Sequence, residues 1–247
     1  MNSTKIEWTD KTWNPITGCT KYSSGCQNCY AEMMSNRLKA MHIKKYANAF
    51  DLTLHSECLS EPLNWNGNYN IFVCSMSDLF HENVPFDFID RIMDTISKTP
   101  NHRYQILTKR VERMKEYFTT HSVPDNAWIG TTVEDIDAVY RIGILQTIKT
   151  NSIRFISCEP LLSDLGKLKL NKINWIIVGG ESGAHARPMK EEWVTSIRNQ
   201  AKKAGIAFFF KQWGTWGPDG IKRNKKKNGK LLEGTIIQEM PIKNNLI

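Results

Sequence analysis

The chain has 247 residues, with 33 Lys and Arg against 25 Asp and Glu and a formal net charge of +8. A hydrophobic fraction of 40% and a charged fraction of 23% are ordinary for a soluble globular protein. No apolar run reaches the ~18 residues of a transmembrane helix, and the start Met-Asn-Ser-Thr-Lys-Ile-Glu-Trp has no apolar core of a signal peptide, so neither membrane span nor leader is expected.

This length suits one α/β barrel or two smaller domains. Six cysteines, three of them clustered, point to a reducing compartment, and a cytoplasmic location is expected. The positive balance favours polyanionic partners.

A short strand is expected over Lys5–Thr9, leading into a loop that runs from Trp13 to Tyr30. That loop carries Cys19, Cys26 and Cys29 in the spacing C-x6-C-x2-C, with Gly18 and Gly25 before the first two. A C-x2-C pair lets two thiolates converge across a tight turn. Three thiolates without a histidine suit a soft metal or an iron–sulfur cluster and leave one coordination position open. A structural zinc site completed by Cys58, Cys74, Cys158 or His42 is one alternative; disulfide bonding is another.

From Tyr30 the positions Ala31, Met34, Leu38 and Met41 recur at helical spacing. Residues 45–67 read as an irregular connection. Apolar runs of strand length then follow at Asn70–Cys74, Tyr104–Thr108, Ala127–Thr132, Ile153–Ser157, Trp175–Val178 and Ile206–Phe210. Between them lie helical patterns carrying Ile89, Ile92, Met93 and Ile96, then Arg110 to Phe118, then Asp135 to Lys149, then Trp193, Val194, Ile197 and Ala201 ending at Gly205. Strands that are apolar throughout point to a mostly parallel sheet covered on both faces. The expected fold class is α/β, a partial or open β/α barrel of six to seven strand–helix units, with a doubly wound sheet as the alternative.

In such folds the active site lies at the carboxyl ends of the strands. There this sequence places Ser75, Ser77 and Asp78; Thr108, Lys109 and Arg110; Thr131, Thr132 and Glu134; Ser157 and Glu159; Gly179, Gly180, Glu181 and Ser182; and Lys211 and Gln212. Such a set fits a polar ligand at the barrel mouth. Singly, Asp78, Glu134 and Ser182 would also serve as helix caps, Lys109 and Arg110 as solvated charges, and Cys74 and Cys158 as buried apolar side chains. No H-x-x-x-H pair supports a histidine-based zinc hydrolase. Lys222, Arg223, Lys225, Lys226, Lys227 and Lys230 form a basic run, read as a solvated flexible segment or a phosphate-contacting arm.

A three-cysteine loop after the first strand of a β/α barrel resembles the layout of radical S-adenosylmethionine enzymes. The chain departs from their C-x3-C-x2-C spacing by three extra residues between Cys19 and Cys26. The motifs Trp13-Asn14-Pro15, Gly18-Cys19, Gly25-Cys26, Cys29-Tyr30-Ala31-Glu32, Ser75-Met76-Ser77-Asp78-Leu79-Phe80-His81, Leu107-Thr108-Lys109-Arg110, Ser157-Cys158-Glu159-Pro160, Val178-Gly179-Gly180-Glu181-Ser182-Gly183 and Phe210-Lys211-Gln212-Trp213-Gly214 look like the phage-associated three-Cys-motif protein family.

The resemblance implies a [4Fe–4S] cluster on Cys19, Cys26 and Cys29, with S-adenosylmethionine as second cofactor and a reductant as partner. Tyr30, Ser75, Ser77, Asp78, Gly179, Gly180 and Glu181 would bind the cofactor, and Lys109, Glu159 and Lys211 would face it or the substrate. It implies a radical-SAM-like barrel over residues 1–216, followed by a basic tail over 217–247. The implied substrate is polar or anionic, a nucleotide, nucleic acid or other small metabolite. A nucleic-acid-binding phage protein with a structural zinc loop is the alternative; a non-radical S-adenosylmethionine-dependent transferase would leave the three cysteines unexplained.

Overall fold

Residues 4–241 are described in a computed structural model, and the order of elements follows the hydrophobic rhythm of the sequence. In chain order these are β1 (Lys11–Trp13), β2 (Ile16–Thr17), α1 (Tyr30–Ala40), β3 (Thr53–Leu54), β4 (Asn70–Val73), α2 (Phe86–Lys98), β5 (Arg103–Thr108) and α3 (Val111–Thr120). They continue with β6 (Ala127–Thr132), α4 (Tyr140–Thr147), β7 (Arg154–Cys158), β8 (Trp175–Gly179), α5 (Glu191–Ala204), β9 (Ala207–Gln212) and the single turn α6 (Lys225–Asn228).

The main sheet has the order β1-β4-β5-β6-β7-β8-β9, while β2 and β3 form a small antiparallel pair. The strands β1, β4 and β5 pair in parallel, as do β7, β8 and β9. Each strand of the sheet lies beside the next in sequence, so no topological switch point exists. That is the order of an open β/α barrel, not of a doubly wound sheet. All residues of β6, β7 and β8 are buried, as a parallel sheet requires. The chain divides into two compact units, one of residues 1–23, 29–130 and 148–152, the other of residues 24–28, 131–147 and 153–247.

Three sequence expectations shift. The first strand is Lys11–Trp13, not Lys5–Thr9. Asp10 takes the Asn70 N–H on its carboxylate (2.7 Å) and gives its own N–H to the Asn70 carbonyl (2.9 Å), to which Thr9 Oγ1 also donates (2.8 Å), so side chains share the entry and the strand proper begins at Lys11. The helix expected from Asp135 to Lys149 breaks into a 3-10 turn at Ile136–Ala138, capped by the Asp135 carboxylate, and α4. The apolar spacing on α1 does not make a core face: its buried residues are Ala31 and Ser35, and Met34 and Met41 are 40% and 57% exposed.

The other helices bury the faces their spacing predicts. On α2, Ile89, Ile92, Met93 and Ile96 are buried; on α5, Val194, Ile197 and Ala201 are. Gly205 closes α5 in the left-handed conformation (φ 66°), where a side chain would be strained.

The last strand is not left with an open edge. The Phe210 N–H donates to the Ile237 carbonyl (2.8 Å) and the Glu239 N–H to the Phe208 carbonyl (3.0 Å). The Glu239 carboxylate takes the Phe208 N–H (2.9 Å). Of the expected tail, residues 242–247 lie outside the described residues. Among the described residues no helix is long and apolar enough to cross a membrane.

Candidate functional site

In the first unit the site is built on the ends of β1, β4 and β5. Gly18 turns at φ 79°, and a Cβ there would lie 2.2 Å from the Asp51 carbonyl oxygen, so only glycine admits this close backbone approach before Cys19. Its N–H donates to the Met76 carbonyl (3.1 Å), and Ser77 Oγ donates to the Ile16 carbonyl (3.0 Å). Ser75 Oγ donates to Asn14 Oδ1 (3.1 Å), and the Tyr30 hydroxyl donates to the Ser75 carbonyl (2.5 Å). The loop after β4 is therefore tied to the start of the cysteine loop and to the first turn of α1.

Asp78 is buried and fully engaged. Its carboxylate accepts from the Phe80 N–H (3.0 Å), Thr108 Oγ1 (2.6 Å), the Lys109 N–H (3.1 Å) and Arg110 Nη1 (3.3 Å). Arg110 is the hub. Besides Asp78, its Nε donates to Glu82 (2.7 Å) and its Nη2 to the Thr20 carbonyl (3.2 Å) and hydroxyl (2.9 Å). Its Nη1 lies 3.6 Å from Cys19 Sγ. Burial would lower the guanidinium pKa, yet Asp78, then Cys19 and Glu82, hold it above the ordinary arginine value. Burial, and then Arg110, push the His81 imidazole pKa down, and its Nε2 lies 2.9 Å from Thr20 Oγ1. Lys109 is half-buried and makes no ion pair among the described residues.

In the second unit Glu181, at the end of β8, is buried and clamped by Arg187. Its Oε1 accepts from Arg187 Nη2 (2.6 Å) and its Oε2 from the Arg187 N–H (2.8 Å), Arg187 Nε (2.9 Å) and Asn28 Nδ2 (3.1 Å). Burial would raise this carboxyl, but the bonds from Arg187 and Asn28 hold it below the ordinary range. Arg187 Nη1 also donates to the Ser24 carbonyl (3.0 Å), and Asn28 Nδ2 to the His185 carbonyl (2.9 Å). The cysteine-loop residues 24–28 are thus held by the loop that follows β8. Glu134 is fully buried and takes Arg141 Nη1 at 2.8 Å, with Gly25 packed on its carboxylate.

Glu159 and Lys211, at the ends of β7 and β9, form an ion pair (2.8 Å), and Ser157 Oγ donates to the other Glu159 oxygen (3.2 Å). Gly179 ends β8, its carbonyl accepting from the Leu161 N–H (3.0 Å). Gly180 donates its N–H to the Gln212 carbonyl (2.9 Å). A Cβ at Gly180 would stand 1.9 Å from the Trp213 carbonyl oxygen, which no side-chain movement relieves. Gly180→Ala is expected to lower stability by about 3 kcal/mol, the upper range for overpacking, read as a fall in the thermal midpoint. An unchanged midpoint would mean that the backbone here yields freely.

Sequence reasoning placed Arg110 at a strand end, with a solvated charge as the alternative, and it did not single out Asn28 or Arg187. Arg110 lies just past the end of β5 and is buried, which the burial of neighbouring strand residues does not announce in sequence. Arg187 lies in an irregular loop, where no periodicity marks it.

No cysteine is in a disulfide, and Cys19, Cys26 and Cys29 are each neither buried nor fully exposed. This donor set fits a soft metal or cluster in kind, with the Arg110 guanidinium beside Cys19. Among the described residues no three His, Cys, Asp or Glu side chains already form a metal cage. The remaining thiols are poor ligands: burial pushes Cys74 up to about 12 and Cys158 higher still, and raises Cys58 as well.

The fold is shared with spore photoproduct lyase. A Cys-to-Ser mutant of that enzyme superposes with a TM-score of 0.51 at 11% identity, over 94% of this chain and 73% of that one. A double mutant with bound AdoMet and dinucleoside spore photoproduct gives a TM-score of 0.47 at 10% identity, and this chain spans only 63% of its length. No curated protein matches in sequence. The chain belongs to the DUF5131 family, described as a protein of unknown function, which it matches over residues 3–241.

Proposed function

We propose that the protein is a radical S-adenosylmethionine-type iron–sulfur enzyme that modifies a nucleotide, a nucleic acid or another small polar substrate. The observation that carries this reading is the loop of three half-buried thiols after the first strand of a partial β/α barrel, with Arg110 beside Cys19. Cys19, Cys26 and Cys29 would hold a [4Fe–4S] cluster. When bound, that cluster supplies the electron for reductive cleavage of S-adenosylmethionine to a 5′-deoxyadenosyl radical.

The chain's own residues have separable tasks. Asp78 and Glu181, each saturated by an arginine and backbone donors, position the strand ends. Tyr30, Ser75 and Ser77 shape the cofactor side through the loop after β4. Gly179 and Gly180 shape the turn after β8, where Gly180 keeps its N–H on Gln212. Lys109, which makes no ion pair among the described residues, would meet an anionic group, and the Glu159–Lys211 pair can take up or release a proton at Glu159 Oε1 or Lys211 Nζ, 2.8 Å apart. The order of cysteine and strand-end motifs, which resembles that of the phage-associated three-Cys-motif family, supports both the cofactor and a phage or prophage setting.

Anaerobic purification, with iron and sulfide assays and EPR after dithionite reduction, tests the reading. About four irons per chain and an EPR signal altered by S-adenosylmethionine are expected, followed by 5′-deoxyadenosine formation. A colourless protein holding one zinc through reconstitution overturns it.

A further inference from the structure

The basic run near the end of the chain is a built turn. Asn224 caps α6, its Oδ1 accepting from the Lys226 N–H (3.0 Å). Asn228 Nδ2 donates to the carbonyls of Gly214 (3.0 Å) and Thr215 (2.9 Å), and Trp213 Nε1 donates to the Leu231 carbonyl (2.8 Å). Leu232 is fully buried. Two of the basic side chains serve this anchoring: Arg223 grips Asp219 (2.8 and 2.6 Å), and Lys222 Nζ donates to the Ala184 carbonyl (2.6 Å).

Lys225, Lys226 and Lys227 differ. All three are exposed within one turn, and none makes an ion pair among the described residues. No acidic residue lies between Asp219 and Glu233, and those two carboxylates are taken by Arg223 and Arg198. The local charge is therefore uncompensated.

The anchors also fix where the triad stands. Trp216 Nε1 donates to the Ala186 carbonyl (2.6 Å), on the same loop whose Arg187 and His185 hold Ser24 and Asn28. The lysines thus share a supporting loop with residues of the cysteine loop.

We propose that Lys225, Lys226 and Lys227 form a docking surface for the phosphate backbone of a nucleic acid. Three exposed lysines consecutive in sequence on a pinned turn concentrate positive charge that a chain of singly charged phosphates complements, and such contacts carry affinity without base preference. A membrane fits less well, because a four-residue helix has no apolar face to insert. This deepens the proposed function by naming its substrate class; it rests on that reading for the chemistry but not for the binding.

The test is fluorescence anisotropy of the full chain with a labelled oligonucleotide of about 15 nucleotides, as single-stranded DNA, as RNA and as duplex, between about 50 and 200 mM salt. Replacing all three lysines by Gln is expected to weaken binding and to lower the slope of log K against log salt by about 2 for a single strand, ~0.7 per lost phosphate contact. Single Lys→Gln variants, each read the same way, keep the test decisive if the triple variant does not fold. Absence of binding to all three forms, an unchanged slope, or equally tight binding to anionic vesicles would each overturn the docking surface. Iron content is read on the same samples. Binding without iron uptake would sink the radical reading alone, and iron uptake without binding would sink the docking surface alone.

Discussion

Alanine at Cys19, Cys26 or Cys29 is expected to reduce iron, after anaerobic reconstitution, from about four per chain to near zero, while Cys74→Ala and Cys158→Ala keep it. The contrast follows from the two kinds of thiol. Cys74 and Cys158 lie in the core with their thiols pushed up by burial, Cys74 to about 12, and a protonated sulfur does not ligate. The three loop cysteines are partly accessible. A cluster held by three thiolates has no spare ligand to absorb the loss of one. Iron assay and visible absorbance measure the outcome, with circular dichroism confirming the fold of each variant. Full iron in the triple alanine variant would end the cluster assignment.

Arg110→Ala is expected to be the most damaging single change away from the cysteines, costing about 3–5 kcal/mol, as when one partner of a buried ion pair is removed. The loss exceeds one salt bridge because the guanidinium serves Asp78, Glu82 and both oxygens of Thr20 at once. Without it the buried Asp78 carboxylate faces no cation, and the chain at Thr20 loses the donors that fix it beside Cys19. Arg110→Lys keeps the charge but not the planar fork, so it should recover only part of the stability and leave iron retention impaired. Urea midpoints and iron per chain, measured on both variants, separate the two effects. An alanine variant within about 1 kcal/mol of the parent would show that the network is dispensable.

The cysteine spacing, the strand-length apolar runs and the polar residues at their ends were legible because each rests on local pattern. Buried parallel strands such as Trp175–Gly179 announce themselves by composition, and the amphipathic α2 by its isoleucine spacing. What pattern could not show was how charges would be partnered. Asp78 and Glu181 read as ligand contacts because carboxylates at strand ends often are; in the structure each is saturated by an arginine 32 or 6 residues further along the chain. The Asp78–Arg110 pairing depends on the folded path, and the Glu181–Arg187 pairing on the turn of an irregular loop that no periodicity marks. The helix α1 erred in the opposite direction, since the spacing of Met34 and Met41 is helical whether or not anything packs on it.

The covering of β9 bears on how the chain can be cut. Ala207-Phe208-Phe209-Phe210 is an apolar run on the outermost strand of the sheet, and the backbone of residues 237–239 occupies its open side. A truncation after residue 216 would remove that cover along with the lysines and leave the backbone edge of a phenylalanine-rich strand open to a second chain. Such a fragment would be prone to aggregate in the test tube. On the ribosome, the same edge stays unguarded until residues 237–239 emerge, a window in which a crowded polysome offers identical edges to pair with.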